Sequence, residues 1–333
     1  MAPRRSVLFL IRDKLGDSLI AANVALAFAR AHPEWSVSVM IRDAYAHPLA
    51  AEPELEIIPY RTGTGALLRA WWWRLSRRRF DVLGVMRGFG ERTMALVTKI
   101  PARRIIVHDA RLASVATEVA AVDEEASAED PHYGPALRVA RALDAALPEP
   151  RSICFPELSR RWLASPKRNI VICPLSDELR RNIPAQSIEA LYAHLTARHP
   201  DQEVLVLVRE RQDMAAFSRP PKVPVTEFHD IPGLLELLMQ SSQFYGTDTG
   251  LLHLAIAMGL PCVVFFGPTQ PHRVLPPDRS GIVALRVPVL GERHCDVKSC
   301  TSAVCIARAV ADLTGGAEAG AALTPDCPLV PER

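Results

Sequence analysis

Two doubly wound α/β domains are what this sequence predicts, and three observations carry the prediction. Short runs rich in Val, Ile, Leu and Phe alternate with longer Ala- and Leu-rich stretches along most of the chain. That alternation restarts after a Pro-rich break near residue 150. The length, 333 residues, is enough for two domains at ~150 residues each.

The first strand is expected at 7–11, a continuous apolar run of the kind buried on both faces of a parallel sheet. A helix follows over 17–30. The alternation at 35–41 makes a second strand, with a short helix from about Asp43 and a third strand at 55–58. The pattern continues with a helix at 66–79, a strand at 80–85, a helix at 92–98 and a strand at 104–107. Residues 109–131 are acidic and Ala-rich with no clear period, and 133–147 reads as helix.

Pro148, Pro150, Pro156 and Pro166 mark a break, so the domains are expected at 1–150 and 169–333 with a linker at 151–168. In the second half, strands fit at 169–173, 204–208, 225–228, 243–246, 262–266 and 282–287. Helices fit at 185–198, 210–217, 232–241, 250–258 and 302–313. Strands alternating with helices imply βαβ units and parallel sheets. Ligands in such sheets sit at the carboxyl ends of the strands, beside helix N-termini, so the chemistry belongs in the loops after strands.

Composition excludes several classes. Hydrophobic residues at 49% and charged residues at 23% describe an ordinary globular chain, not a disordered one. A net charge of +2 offers no global field for nucleic acid. Seven cysteines are too few for a disulfide scaffold. A membrane-spanning helix needs roughly 20 consecutive apolar residues, and every candidate run is broken by Asn23, His253, Gly259 or Pro261. The N-terminus does not read as a signal peptide, because only 7–11 is apolar before Arg12-Asp13-Lys14. A cytoplasmic protein with reduced thiols is the expectation.

Three loops stand out. Arg12-Asp13-Lys14-Leu15-Gly16-Asp17-Ser18 follows the first strand and opens the first helix. Gly16 is expected to take a positive φ and bring backbone close to a ligand. Asp17, kept ionised by the helix N-terminus, can act as general base for a sugar hydroxyl or can be a simple N-cap. Tyr245-Gly246-Thr247-Asp248-Thr249-Gly250 ends a strand in a glycine and opens an Ala/Leu helix, whose first amides suit a diphosphate. Asp248 and Thr249 are candidates for sugar or phosphate oxygens, or for caps. Phe266-Gly267-Pro268-Thr269 repeats the arrangement on the next strand.

Leu15-Gly16-Asp17, then Asp248-Thr249-Gly250 with His253-Leu254-Ala255, then Phe266-Gly267-Pro268-Thr269 occur in this order. Together they resemble the bacterial heptosyltransferases, the ADP-heptose:lipopolysaccharide family of glycosyltransferases, over nearly the whole chain. The resemblance implies a GT-B architecture of two Rossmann-like domains facing a cleft. The N-terminal domain would bind a lipid-linked saccharide acceptor and the C-terminal domain a nucleotide sugar, ADP-heptose by analogy. It implies inverting transfer with no required metal or other cofactor. Asp17 matches the family's catalytic base, with Gly16 and Lys14 beside it on the acceptor side. Asp248, Thr249 and Gly250 match the donor loop, with His253 and Thr269 beside it.

Arg181, three positions before Pro184, stands where the family commonly has Lys, and still offers a charged planar fork to phosphate. Ile183 replaces the usual aromatic, and Pro174-Leu175-Ser176-Asp177 lacks the customary Gly. The other readings are a GT-B relative using another nucleotide sugar, for capsule or protein glycosylation, and a silent scaffold that binds nucleotide sugar or glycolipid.

Residues 57–80 hold six Arg and no acid, around Trp71-Trp72-Trp73. This is either a surface for anionic lipid or phosphorylated glycolipid at the cytoplasmic face of the inner membrane or a helix packing on its sheet with solvated arginines, and both can hold together. No nucleic-acid motif accompanies it. Cys295, Cys300, Cys305 and Cys327 form only a loose cysteine series without the close spacing of common zinc sites, so free thiols are expected. Cys154, Cys173 and Cys262 read as core.

Overall fold

The computed structural model describes residues 4–120, 133–209, 220–287 and 303–315. The chain divides into two compact units, Met1–Leu158 and Ser159–Arg333.

The first unit runs β1 (Arg5–Ile11), α1 (Leu15–Ala31), β2 (Trp35–Arg42), α2 (Asp43–Ala46), β3 (Glu56–Tyr60), α3 (Gly63–Leu75), β4 (Phe80–Arg87), α4 (Glu91–Val97), β5 (Ala102–Val107), β6 (Glu118–Val119) and α5 (Gly134–Arg141). Its sheet is parallel with strand order β3-β2-β1-β4-β5-β6. Val7 to Ile11 are wholly buried, as a central strand covered on both faces requires. Helix α1 is buried along most of its length, which is why its sequence lacks a polar stripe. Its one awkward residue, Asn23, is satisfied by the chain at 152–154. The amide donates to the Ser152 carbonyl at 2.9 Å and accepts from the Cys154 N–H at 3.1 Å.

The second unit runs α6 (Pro156–Ala164, beginning at the end of the first unit), β7 (Asn169–Cys173), α7 (Ala185–Arg198), β8 (Glu203–Val208), β9 (Val225–Glu227), α8 (Ile231–Met239), β10 (Ser241–Thr247), α9 (Gly250–Met258), β11 (Cys262–Phe266), α10 (Pro271–Val274), β12 (Ile282–Arg286) and α11 (Val304–Thr314). Its parallel sheet has the order β12-β11-β10-β7-β8-β9. Counted within the unit this is 3-2-1-4-5-6, the winding of the first sheet and of Rossmann folds. The order reverses between β1 and β4 in one unit and between β7 and β10 in the other, which sets a crevice at each carboxyl edge.

Several expectations need correcting. Part of the stretch read as linker, 151–168, is the helix α6. Its Trp162 indole donates to the Ser241 carbonyl at 3.0 Å, and its first turn is met by the buried Glu52, whose carboxylate accepts the Glu157 N–H at 2.9 Å. The third strand begins later than read, at Glu56, and α3 both begins and ends earlier, at Gly63 and Leu75. Thr62 sets the start of α3, accepting the Gly65 N–H at 3.1 Å. In 109–131, residues Ala110–Val115 form a 3₁₀ turn and Glu118–Val119 a short strand. The rest of that stretch, and the helix expected at 210–217, lie outside the described residues.

Candidate functional site

At the carboxyl edge of the first sheet, the strand order reverses between β1 and β4, and α1 starts just after β1. A register shift between Leu10 and Ile11 pairs Ile11 with Arg87, the last residue of β4. The Arg12 N–H donates to the Arg87 carbonyl at 3.2 Å. Gly88 follows with φ +96°, and a Cβ there would lie 2.7 Å from the Arg12 carbonyl oxygen, so only glycine permits the approach. The Arg87 guanidinium then reaches Asp17 at 3.2 Å.

Asp17 is not the N-cap of α1. Lys14 holds that position, exposed, with no side-chain cap bond. Asp17 is the third helical residue, where the helix N-terminus favours its charge. Gly16 is corrected: it lies inside the first turn of α1 and is not among the glycines of positive φ. Asp13 stands nearby, its carboxylate accepting the Lys14 N–H at 2.9 Å. Burial, and then the neighbouring Asp17, push the Asp13 carboxyl above the usual carboxylate range. Behind them, after β5, His108 is held down to about 4 by burial, with Nδ1 3.0 Å from the Val85 carbonyl.

The second crevice is built alike. The chain leaves β7 into a loop closed at its base by the Ile183 N–H donating to the Pro174 carbonyl at 2.9 Å, and by the Ser176 N–H donating to Asn182 Oδ1 at 2.7 Å. Ile183, the substitute for the expected aromatic, is wholly buried and anchors the loop in the core. The loop's 3₁₀ turn, Leu179–Arg181, presents Arg181 to the loop after β10. There Arg181 Nη1 donates to Asp248 Oδ2 at 2.9 Å, while Nη2 donates to Glu178 Oε1, also at 2.9 Å. Glu178 accepts in addition from Arg180 Nε at 2.9 Å.

Thr249 is the N-cap of α9, its hydroxyl accepting the Leu252 N–H at 3.4 Å, and Gly250 is the first helical residue. His253 is buried within α9, and Thr269 is buried after β11. Gly246 lets β10 lie against β7, since a Cβ there would meet the Phe244 ring at 2.7 Å and the Cys173 carbonyl at 3.0 Å. On this edge four buried polar atoms have no hydrogen-bond partner among the described residues: Arg181 Nε, Asn182 Nδ2, Thr247 Oγ1 and Thr269 Oγ1. Buried polar atoms are rarely left so, and their gathering on the loops after β7, β10 and β11 suits a polar ligand.

The structure thus brings Asp17, Gly16 and Lys14 together in one unit, and Arg181, Asp248, Thr249, Gly250, His253 and Thr269 to one edge of the other. Sequence reasoning missed Arg87, Asp13, Glu178, Asn182 and Thr247. Arg87 carried a usable signal, a strand ending directly in glycine, the same one that marked Gly246 and Gly267. Cys173 and Cys262 are core residues, their thiols pushed up by burial. Cys154 is half-buried in a connecting segment and is not strand core. Cys305 sits on α11, where a Cβ on Gly267 would meet its sulfur at 2.9 Å. Cys295, Cys300 and Cys327 lie outside the described residues, and among those described no cluster of three His, Cys, Asp or Glu could hold a metal. No described helix is long and apolar enough to cross a membrane.

Two parallel sheets of this winding are the two-domain α/β architecture of GT-B proteins. Residues 163–304 match the model of glycosyltransferase family 9, the heptosyltransferases. Solved structures share the fold. Escherichia coli heptosyltransferase WaaC, solved with ADP-2-deoxy-2-fluoro heptose, superposes with a TM-score of 0.66 at 13% identity, over 85% of this chain and 93% of that one. E. coli ADP-heptose LPS heptosyltransferase II gives 0.65 at 18% identity, over 93% and 98%. A family 9 protein of Veillonella parvula gives 0.64 at 15%, over 84% and 85%. No curated protein matches the chain by sequence.

Proposed function

We propose that this glycosyltransferase moves a heptose, with inversion, from ADP-heptose to a hydroxyl of a lipopolysaccharide core acceptor, lipid A-Kdo or an inner-core heptose. Asp17 is the general base. It takes the hydroxyl proton as the oxygen attacks the anomeric carbon, while ADP leaves from the opposite face of the sugar. The diphosphate's growing charge is met by Arg181 and by the amides at Thr249 and Gly250, with Asp248, His253 and Thr269 shaping the donor site and Lys14 and Gly16 on the acceptor side. No metal takes part. A lipid-linked acceptor brings the first unit to the cytoplasmic face of the inner membrane, where segment 61–79 makes a peripheral contact.

The observation that carries the reading is Asp17 itself, an ionisable side chain held by Arg87 on the first turn of α1, where the strand order reverses between β1 and β4. A general base is worth roughly 100- to 10,000-fold in rate, and a lost charge-stabilising donor ~100-fold or more. Calorimetry with ADP, UDP, GDP and CDP, paired with a transfer assay, tests the proposal. ADP should bind preferentially, and Asp17→Ala should abolish transfer while leaving ADP binding nearly intact. Preference for another base would move the donor to a different nucleotide sugar. An Asp17→Ala protein that folds but no longer binds nucleotide would refute the role given to Asp17.

A further inference from the structure

Helix α3 has two apolar faces, and only one of them is used by the fold. At about 100° per residue, Ala66, Ala70 and Trp73 lie along one side. They are buried in the core with Phe80, Leu96, Val97 and Ile100. Trp73 meets the Phe80 ring edge-on at 5.2 Å. Leu68, Trp71, Trp72 and Leu75 follow the i, i+3, i+4, i+7 spacing of a second stripe, about 180° around the helix from the first. Their exposures are 62%, 58%, 59% and 61%. Four large apolar side chains in one outward row are not the scattered single residues that any surface carries.

The charged residues of the segment that carries this row are all basic. Arg61, Arg69, Arg74, Arg77, Arg78 and Arg79 are exposed, and 57–80 contains no acid. Three have structural duties. Arg61 pairs with Asp43 at 3.1 Å and Arg78 with Glu56 at 2.6 Å. Arg74 donates to the Lys99 carbonyl at 2.8 Å and the Thr98 carbonyl at 2.7 Å, tying α3 to the end of α4. Arg77 and Arg79 follow the row at the end of α3, and Arg69 stands about 110° around the helix from it, where it also helps hold the Glu56 carboxyl below the usual range.

We infer that the outward face of α3 docks on an anionic lipid bilayer, Leu68, Trp71, Trp72 and Leu75 entering the interface and Arg69, Arg77 and Arg79 meeting lipid phosphates. This specifies the side chains of the peripheral contact in the proposed function and rests on that reading. The chemistry selects the occupant. Indole and leucine side chains beside arginine suit the boundary between headgroups and acyl chains, and the basic residues add an attraction to anionic headgroups that salt weakens. A second copy of the chain would bring the same positive charges against this face, which disfavours self-association.

The test is flotation of the full chain with vesicles of phosphatidylglycerol and phosphatidylethanolamine, against vesicles of phosphatidylcholine alone. Expected are binding to the anionic vesicles, loss in high salt, and a fall of ~10-fold or more in partitioning for Trp71→Ser/Trp72→Ser. A smaller fall is expected for Arg69→Gln/Arg79→Gln. Both variants alter only exposed side chains, so the packed face of α3 stays intact. Equal binding to both vesicle types, or undiminished binding by the tryptophan variant, overturns the inference. So does a wild-type dimer in sedimentation that the tryptophan variant splits and that ignores vesicles. Transfer to a delipidated acceptor, measured in parallel, separates the two claims. Vesicle binding without any transfer would sink the enzymatic reading and leave the docking face standing. Transfer without vesicle binding would do the reverse.

Discussion

Arg181 is the residue whose surroundings say most about how a donor enters. In the free protein its two terminal nitrogens are taken by Asp248 and Glu178. Under the proposed function, a diphosphate would share that guanidinium with carboxylates already in place. Removing the competitor that lies outside the matched donor motif should therefore help. Glu178→Gln is expected to tighten ADP binding roughly two- to five-fold, the worth of one partly exposed ion pair. Arg181→Gln is expected to weaken it by ~10-fold or more, the cost of a charge-assisted contact. Titration calorimetry reads both, and a Glu178→Gln protein that binds ADP more weakly would mean that Glu178 holds the loop rather than competes. Arg87 could not be read in advance as the partner of Asp17, because that ion pair joins the end of β4 to the start of α1 across the folded sheet, whereas Glu178 lies only three residues from Arg181 and its pairing is local. The motif residues themselves were legible because each sits at the end of an apolar run that identifies itself.

At the scale of elements, the glycine at the end of β10 shows how tightly the second crevice is built. Gly246→Ala would press a methyl against the Phe244 ring and the Cys173 carbonyl, and the carbonyl belongs to the neighbouring strand β7. Overpacking of this kind costs ~1–3 kcal/mol. The variant should melt earlier and bind ADP less tightly, since β7 and β10 carry the two loops that meet in the Arg181–Asp248 pair. An unchanged melting temperature would show that β7 yields without cost. The buried strands and the helices at 185–198 and 250–258 were readable because burial demands continuous apolar runs and Ala/Leu-rich stretches. Helix α6 was not, since Pro156 and Pro166 read as punctuation. Yet Pro is well tolerated in a first turn, where no intrahelical N–H bond is lost. Nor does sequence alone reveal the acceptor of that turn, Glu52, which lies far away in the chain.

Across the whole molecule, acid should act first on the first unit. An unfolded histidine titrates near 6.5, whereas His108 is held to about 4 in the fold. Between those values the unfolded chain takes up a proton that the folded chain refuses. The contribution of His108 is thus full above pH 6.5 and lost as pH falls toward 4, about 3 kcal/mol in all. Urea melts of His108→Asn between these pH values should show a flatter decline than the parent. An equally steep decline would assign the acid sensitivity to other groups. The two sheets also share one strand order, and among the described residues no strand of one is lent to the other. Recombination that exchanges one half of such a gene therefore need not rethread a single strand, and a partner specificity can be inherited as a half-chain.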